Sequence, residues 1–225
     1  MEEFVLDTPV IRDFIGGAHE AIATADSPQA ACEAIRPDFA ELLTDQTWLP
    51  DELGEAVPDL SSSAAGQSPP ARENEPSGMG GGIGQWLLYR AGDESLSLFS
   101  LVVPSGSATP VHDHLAWGLV GLYRGEQDEE IYAREGEELR LVERRALRAG
   151  DFYALFPPHD DIHRVRTTSV QTSVSIHLLT NDTGCTWRHS FDPETGAESP
   201  FRSGYANAVC ETEPAPPDGH WHGAP

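Results

Sequence analysis

The sequence predicts an all-β sandwich or barrel with a small helical region at its N-terminal end. Three observations carry that prediction. After Gly84, about nine short segments rich in β-branched, aromatic and aliphatic residues follow one another within roughly 110 residues. Turn signals such as Glu135-Gly136 and Asp192-Pro193-Glu194-Thr195-Gly196 separate them. No helix-length segment lies between them, which argues against parallel β-α-β units.

Residues 1–53 read as the helical region. Phe4 to His19 predicts a first helix, with His19 on its surface. Ser27-Pro28 supplies a cap and a first-turn residue for a second, which runs through Cys32, Ile35, Phe39 and Leu42 with Pro37 as a point of interruption. Residues 54–84 turn to Ser, Pro and Gly, including Ser61-Ser62-Ser63 and Gly80-Gly81-Gly82, and predict a long loop that adds little to the core. Residues 85–204 carry the strands: Gln85 to Tyr89, Ser95 to Val103, Trp117 to Tyr123, Glu130 to Arg134, Leu139 to Arg148, Phe152 to Leu155, Ile162 to Arg166, Ser173 to Thr180 and Thr186 to Phe191. Residues 205–225, with Pro214, Pro216 and Pro217, read as a mobile tail whose His220 and His222 make a poor metal site.

Composition narrows the function. The 225 residues carry 14 basic and 37 acidic side chains, a formal charge of −23, and every basic residue is arginine. Phosphate backbones and anionic membranes select for clustered cations, so neither is an expected partner. The acids are spread along the chain and predict a solvated anionic coat of the kind suited to a salty cytoplasm. Met1-Glu2-Glu3-Phe4 lacks the positive flank and apolar stretch of a secretory signal, which supports a cytoplasmic expectation. Cys32, Cys185 and Cys210 are odd in number and widely spaced, so a buried thiol is expected at each.

The chemistry concentrates in Gly106 to Gly125. On an extended chain side chains alternate, so His112 and His114 project to one face and can share an ion while Asp113 points away. His163, at the start of a later strand, can be brought opposite them by antiparallel pairing. Three neutral imidazoles leave the metal its full charge and open positions, a setting that favours anionic ligands such as a thiolate. Ser175 and His177 share a strand face whose reverse carries Val174, Ile176 and Leu178, and are expected to face a polar cavity at the metal. Arg188 offers a planar fork suited to a carboxylate; pairing with Asp192 or Glu194 at the surface is its plainer alternative.

The spacing Gly106, five residues, His112-x-His114, three residues, Gly118, six residues, Gly125 resembles the first cupin motif, and Gly150 to His163 is similar to the second. Where the common motif has a glutamate ligand, this chain has Gly118. That departure resembles the thiol dioxygenase branch, the cysteine and mercaptopropionate dioxygenases, whose iron is held by three histidines. His112-Asp113-His114 followed by Trp117-Gly118 is more similar to the bacterial mercaptopropionate enzymes than to the animal cysteine enzyme, whose cross-linking cysteine has no counterpart between His114 and His163. Val174 to Leu179 is similar to the family segment with serine, histidine and tyrosine at alternate positions: Ser175 and His177 match, and Leu179 replaces the tyrosine.

The resemblance, which spans about a third of the chain, implies a cupin double-stranded β-helix, or jelly-roll barrel. It further implies an Fe(II)-dependent enzyme that oxidises a small thiol with O2 to its sulfinate. His112, His114 and His163 would hold iron, Ser175 and His177 would orient the site, and Arg188 would bind a substrate carboxylate. Ligand spacing alone leaves Mn, Ni and Zn open, and with them another metal-dependent reaction or a non-catalytic metal-binding cupin. A homodimer is expected by analogy with the fold.

Overall fold

The computed structural model describes residues 2–58, 79–136 and 138–210. The Ser- and Pro-rich stretch 59–78, and the terminal residues that include His220 and His222, lie outside the described residues.

Two capped helices open the chain. In α1 (Pro9–Thr24) the Thr8 hydroxyl accepts the Ile11 amide at 3.3 Å and Pro9 occupies the first turn, where its missing N–H costs nothing. In α2 (Pro28–Thr44) Ser27 does the same for Ala30 at 3.2 Å, and Pro37 is absorbed without ending the helix. The first helix begins later than the sequence predicts. Glu3–Phe4 instead form β1, which pairs with Arg90 and Tyr89. His19 is tied down as well, its Nε2 lying 2.7 Å from the Tyr89 hydroxyl.

The remaining strands are β2 (Gly84–Arg90), β3 (Ser97–Val103), β4 (Val111–His112), β5 (Gly118–Arg124), β6 (Glu126–Glu135), β7 (Glu138–Arg148), β8 (Phe152–Leu155), β9 (Ile162–Thr167), β10 (Ser173–Leu179), β11 (Arg188–Phe191) and β12 (Glu198–Phe201). They form two antiparallel sheets, ordered β1-β2-β3-β10-β5-β8 and β12-β11-β4-β9-β6-β7. From β3 to β11 the chain passes back and forth between the sheets, with the β6–β7 hairpin counted as one visit to the second. That alternation is the double-stranded β-helix, and the fold is the all-β cupin jelly roll with a small helical region that the sequence predicts.

The helices cover the outer face of the first sheet. Ile11, Phe14, Ile35, Phe39 and Leu43 pack there against Leu119, Ile176 and Leu178. Gly121 makes the close approach possible, since a Cβ would lie 2.4 Å from Leu43 and 2.9 Å from Phe39. A second cluster fills the barrel and contains Leu87, Phe99, Leu101, Val120 and Leu179. Met79 and Ile83, from the loop expected to add little to the core, are buried in this inner cluster.

Two further expectations are corrected. Cys185 and Cys210 are not separate buried thiols but a disulfide, because the chain after β12 folds back and brings their Cα atoms to 5.2 Å. Cys32 is free and buried as expected, and burial pushes its thiol up to about 11. The tail does not leave the barrel at residue 205: Tyr205 is buried, the Ala206 amide donates to the Gln85 carbonyl at 2.7 Å, and Cys210 is cross-linked.

Among the described residues no helix is long and apolar enough to cross a membrane. With a charge of −23 on this small a body, melting temperature is expected to rise between low and molar salt as self-repulsion is screened, by about 3 °C for each kcal/mol gained. Thermal scans across that range check it, and an unchanged midpoint removes salt adaptation from the account.

Candidate metal centre

Register brings the three histidines together. β4 lies between β11 and β9, with His112 directly opposite His163 on one side and Ser190 on the other. His114 follows where the chain leaves β4, and Leu115 then takes a left-handed φ of 54°. All three histidines are buried, and their ligand nitrogens lie within 4.8 Å of one another.

What suits this cluster to a metal ion is the far side of each ring. His112 Nδ1 donates to the Pro110 carbonyl at 2.9 Å, His114 Nδ1 sits 3.2 Å from Asp161 Oδ1, and His163 Nδ1 sits 2.5 Å from Glu129 Oε1. With every Nδ1 engaged by an acceptor, each ring is fixed in the tautomer that leaves the Nε2 lone pair free for an ion. Burial above all, with neighbouring positive groups adding, holds His112 and His114 well below the ordinary imidazole range, so they stay neutral and available. The donor set fits a divalent transition metal such as iron.

The supports differ from ring to ring. Asp161 also accepts the backbone amides of His114 at 2.8 Å and Leu115 at 3.2 Å, so it fixes both the ring and the left-handed turn beneath it. Glu129 is shared with the Tyr153 hydroxyl, and its second oxygen is buried without a partner. Asp113 turns outward between the two ligands and is held by His189, whose amide donates at 2.8 Å and whose ring lies at 2.6 Å. Glu129→Gln and Asp161→Asn should each weaken metal binding about 10- to 100-fold while leaving the fold in place. Competition with a chromophoric chelator reads this directly; an affinity unchanged in both variants removes them from the site.

Ser175 and His177 lie on the barrel side of β10, since Val174, Ile176 and Leu178 belong to the helix-facing cluster. The two are hydrogen-bonded at 2.9 Å, His177 stacks on Phe99 at 4.7 Å, and its ring centre is 6.4 Å from that of His114. Burial holds His177 well below the ordinary imidazole range. Its Nδ1 is buried with no partner. Leu179 packs in the inner cluster, so no hydroxyl is offered there.

Arg188 is not a surface residue paired with Asp192 or Glu194. It is fully buried on β11, two residues from Ser190 and therefore on the His112 side of the sheet. Its guanidinium donates to the carbonyls of Thr183 at 3.4 Å and Asp113 at 3.1 Å and to the Ser203 hydroxyl at 2.6 Å, and it lies 4.5 Å over the Phe201 ring. These hydrogen-bond partners are neutral, and burial lowers its ordinary value to about 10, which still leaves a cation at neutral pH.

The sequence reading missed Glu129, Asp161 and Gln85. Gln85 sits on the barrel face in the cross-strand row Gln85–Leu101–Ser175, with its Nε2 buried and unpartnered. A glutamine inside an otherwise apolar strand was the available signal. The two acids were hidden among the 37 of the chain.

No protein-family model matches the sequence. Solved structures with which it shares likeness include KdgF from Halomonas sp., at 20% identity over 44% of this chain and 80% of that one, with a TM-score of 0.34. They also include the cupin domain of an XRE-family transcriptional regulator from Enterobacter cloacae, at 18% identity over 43% and 94%, with a TM-score of 0.32. A recombinant oxalate oxidase in complex with glycolate shares 15% identity over 57% and 74%, with a TM-score of 0.38. The fold assignment itself comes from strand order and register: this chain is a cupin-type jelly roll built around a buried three-histidine centre suited to a metal ion.

Proposed function

We propose that the chain is an Fe(II)-dependent thiol dioxygenase acting on a small thiol that bears a carboxylate. The observation that carries this reading is the pairing of a three-imidazole centre, which contributes no negative charge, with a buried Arg188 that makes no ion pair among the described residues. Both call for an anion, and a thiol acid presents two. Iron bound by His112, His114 and His163 would supply the meeting place and the redox capacity for thiolate and O2. The overall change, RSH + O2 → RSO2H, places both oxygen atoms on sulfur, and sulfur supplies all the electrons.

The chain's own residues have separable tasks in this reading. Arg188 grips the carboxylate, and the Gln85 amide offers it a further donor. The Ser175–His177 pair keeps one imidazole nitrogen free to accept or return a proton beside the metal. Phe99, Val120 and Leu179 keep bulk water from the thiolate. A metal-dependent barrel with another substrate is the second reading, favoured by Leu179 where thiol dioxygenases carry a tyrosine.

Oxygen uptake by the Fe(II)-loaded protein, with mercaptopropionate, cysteine, cysteamine and no thiol, tests the proposal. Uptake with the carboxylate-bearing thiols, accompanied by sulfinate, is the expected result. Absence of uptake with every thiol, at one bound iron per chain, overturns it.

A further inference from the structure

The segment after β12 folds back across the barrel as a strap. It leaves Phe201, whose ring is 5.6 Å from that of His112, and presents Ser203 to Arg188. The Gly204 amide donates to the Gly184 carbonyl at 2.8 Å. Tyr205 lies flat against Gly184, donates to Asp182 at 2.8 Å and meets Phe99 edge-on at 6.1 Å. Asn207 imitates a strand neighbour, accepting the Leu87 amide at 2.9 Å and donating to the Leu87 carbonyl at 3.0 Å. Of these landing points, Arg188 lies on the His112 side of its sheet, and Phe99 and Leu87 belong to the cluster that fills the barrel.

One covalent bond holds the far end. Cys210 is joined to Cys185, in the loop that leads directly into Arg188, and both sulfur-bearing residues are only half-buried. Arg90 lies 3.9 Å from the Cys185 sulfur, a cation placed to favour the thiolate that reduction would release.

We propose that the Cys185–Cys210 disulfide is a redox latch on this strap, holding Ser203 against Arg188 when oxidised and loosening the grip on a carboxylate when reduced. The grip on a thiol acid rests on the function proposed above; the strap's motion does not. Reduction breaks the S–S bond with two electrons and two protons from a dithiol, which itself becomes a disulfide. The strap is then held only by its hydrogen bonds and the Tyr205 contact, so the bond between Ser203 and the guanidinium opens more often.

Oxidised protein, protein reduced with a neutral trialkylphosphine, and the Cys185→Ser/Cys210→Ser variant would be compared. Amide exchange at Gly204 and Ala206 should quicken roughly 30-fold or more on opening. Anaerobic titration of the Co(II)-loaded protein should show mercaptopropionate binding roughly tenfold weaker or worse, with 1-propanethiol, which lacks the carboxylate, unchanged. Equal exchange in all three forms overturns the latch. Equal mercaptopropionate affinity, or equal weakening of both thiols, overturns its action through Arg188. If neither thiol perturbs the cobalt spectrum in any form, the thiol reading fails, and exchange alone decides the latch.

Discussion

His163→Ala will lose stoichiometric divalent-metal binding, an effect of more than about 100-fold in affinity because it removes a ligand outright, whereas loss of a supporting partner costs 10- to 100-fold. The substitution also strands Glu129, which is buried at 1% exposure and left with Tyr153 as its one partner. An unpaired buried carboxylate costs about 3–5 kcal/mol, so the single variant should melt early. The double variant His163→Ala/Glu129→Gln separates the two effects, recovering stability without recovering metal. Metal analysis after gel filtration, beside urea denaturation, reads both. One tightly bound ion per chain in a folded His163→Ala protein would show that the third ligand lies elsewhere.

Gly118→Ala is expected to destabilise the barrel by about 4 kcal/mol or more, among the largest effects a single methyl group can have. A Cβ at this position would lie 2.0 Å from the carbonyl oxygen of Leu178 and 3.0 Å from the Leu179 Cα, both backbone atoms of the neighbouring strand that cannot swing aside. Because β5 and β10 are paired through Gly118 and Leu179, relief requires these two inner strands of the first sheet to part. Gly118→Glu, which would restore the carboxylate of the common motif, meets the same obstacle and should fail equally. Chemical denaturation of both variants checks this. A variant at Gly118 with wild-type stability would mean that the close approach of these strands is not as tight as it stands here.

The strands were legible because β-branched and aromatic residues alternate between clear turn signals, and all nine predicted segments coincide with strands in the structure. The two-residue spacing from His112 to His114 and the later His163 were legible for the same reason: register follows from alternation. The pieces that sequence could not supply are those fixed across long separations. Glu129 reaches His163 over 34 residues and Asp161 reaches His114 over 47, and nothing local distinguishes these acids from those of the coat. Phe4 has the apolar character that suits a helix start, yet edge pairing with Tyr89 claims it. The Cys185–Cys210 bond depends on a strap whose Ser, Gly and Asn content reads as loop, and spacing alone does not reveal that a loop returns to the barrel.

The pinning of every ligand from behind has a consequence for how the ion arrives. Asp161 holds the turn after His114, His189 holds Asp113 from the opposite face, and His112 is anchored to the Pro110 carbonyl. None of these contacts passes through the ion, so loading should not have to drive folding, as it does in small domains that collapse around zinc. Stripping the ion with a chelator should leave far-ultraviolet circular dichroism unchanged. The heat-capacity change of uptake should be close to zero, and the rate of loading should be set by the passage of a hydrated ion into the barrel.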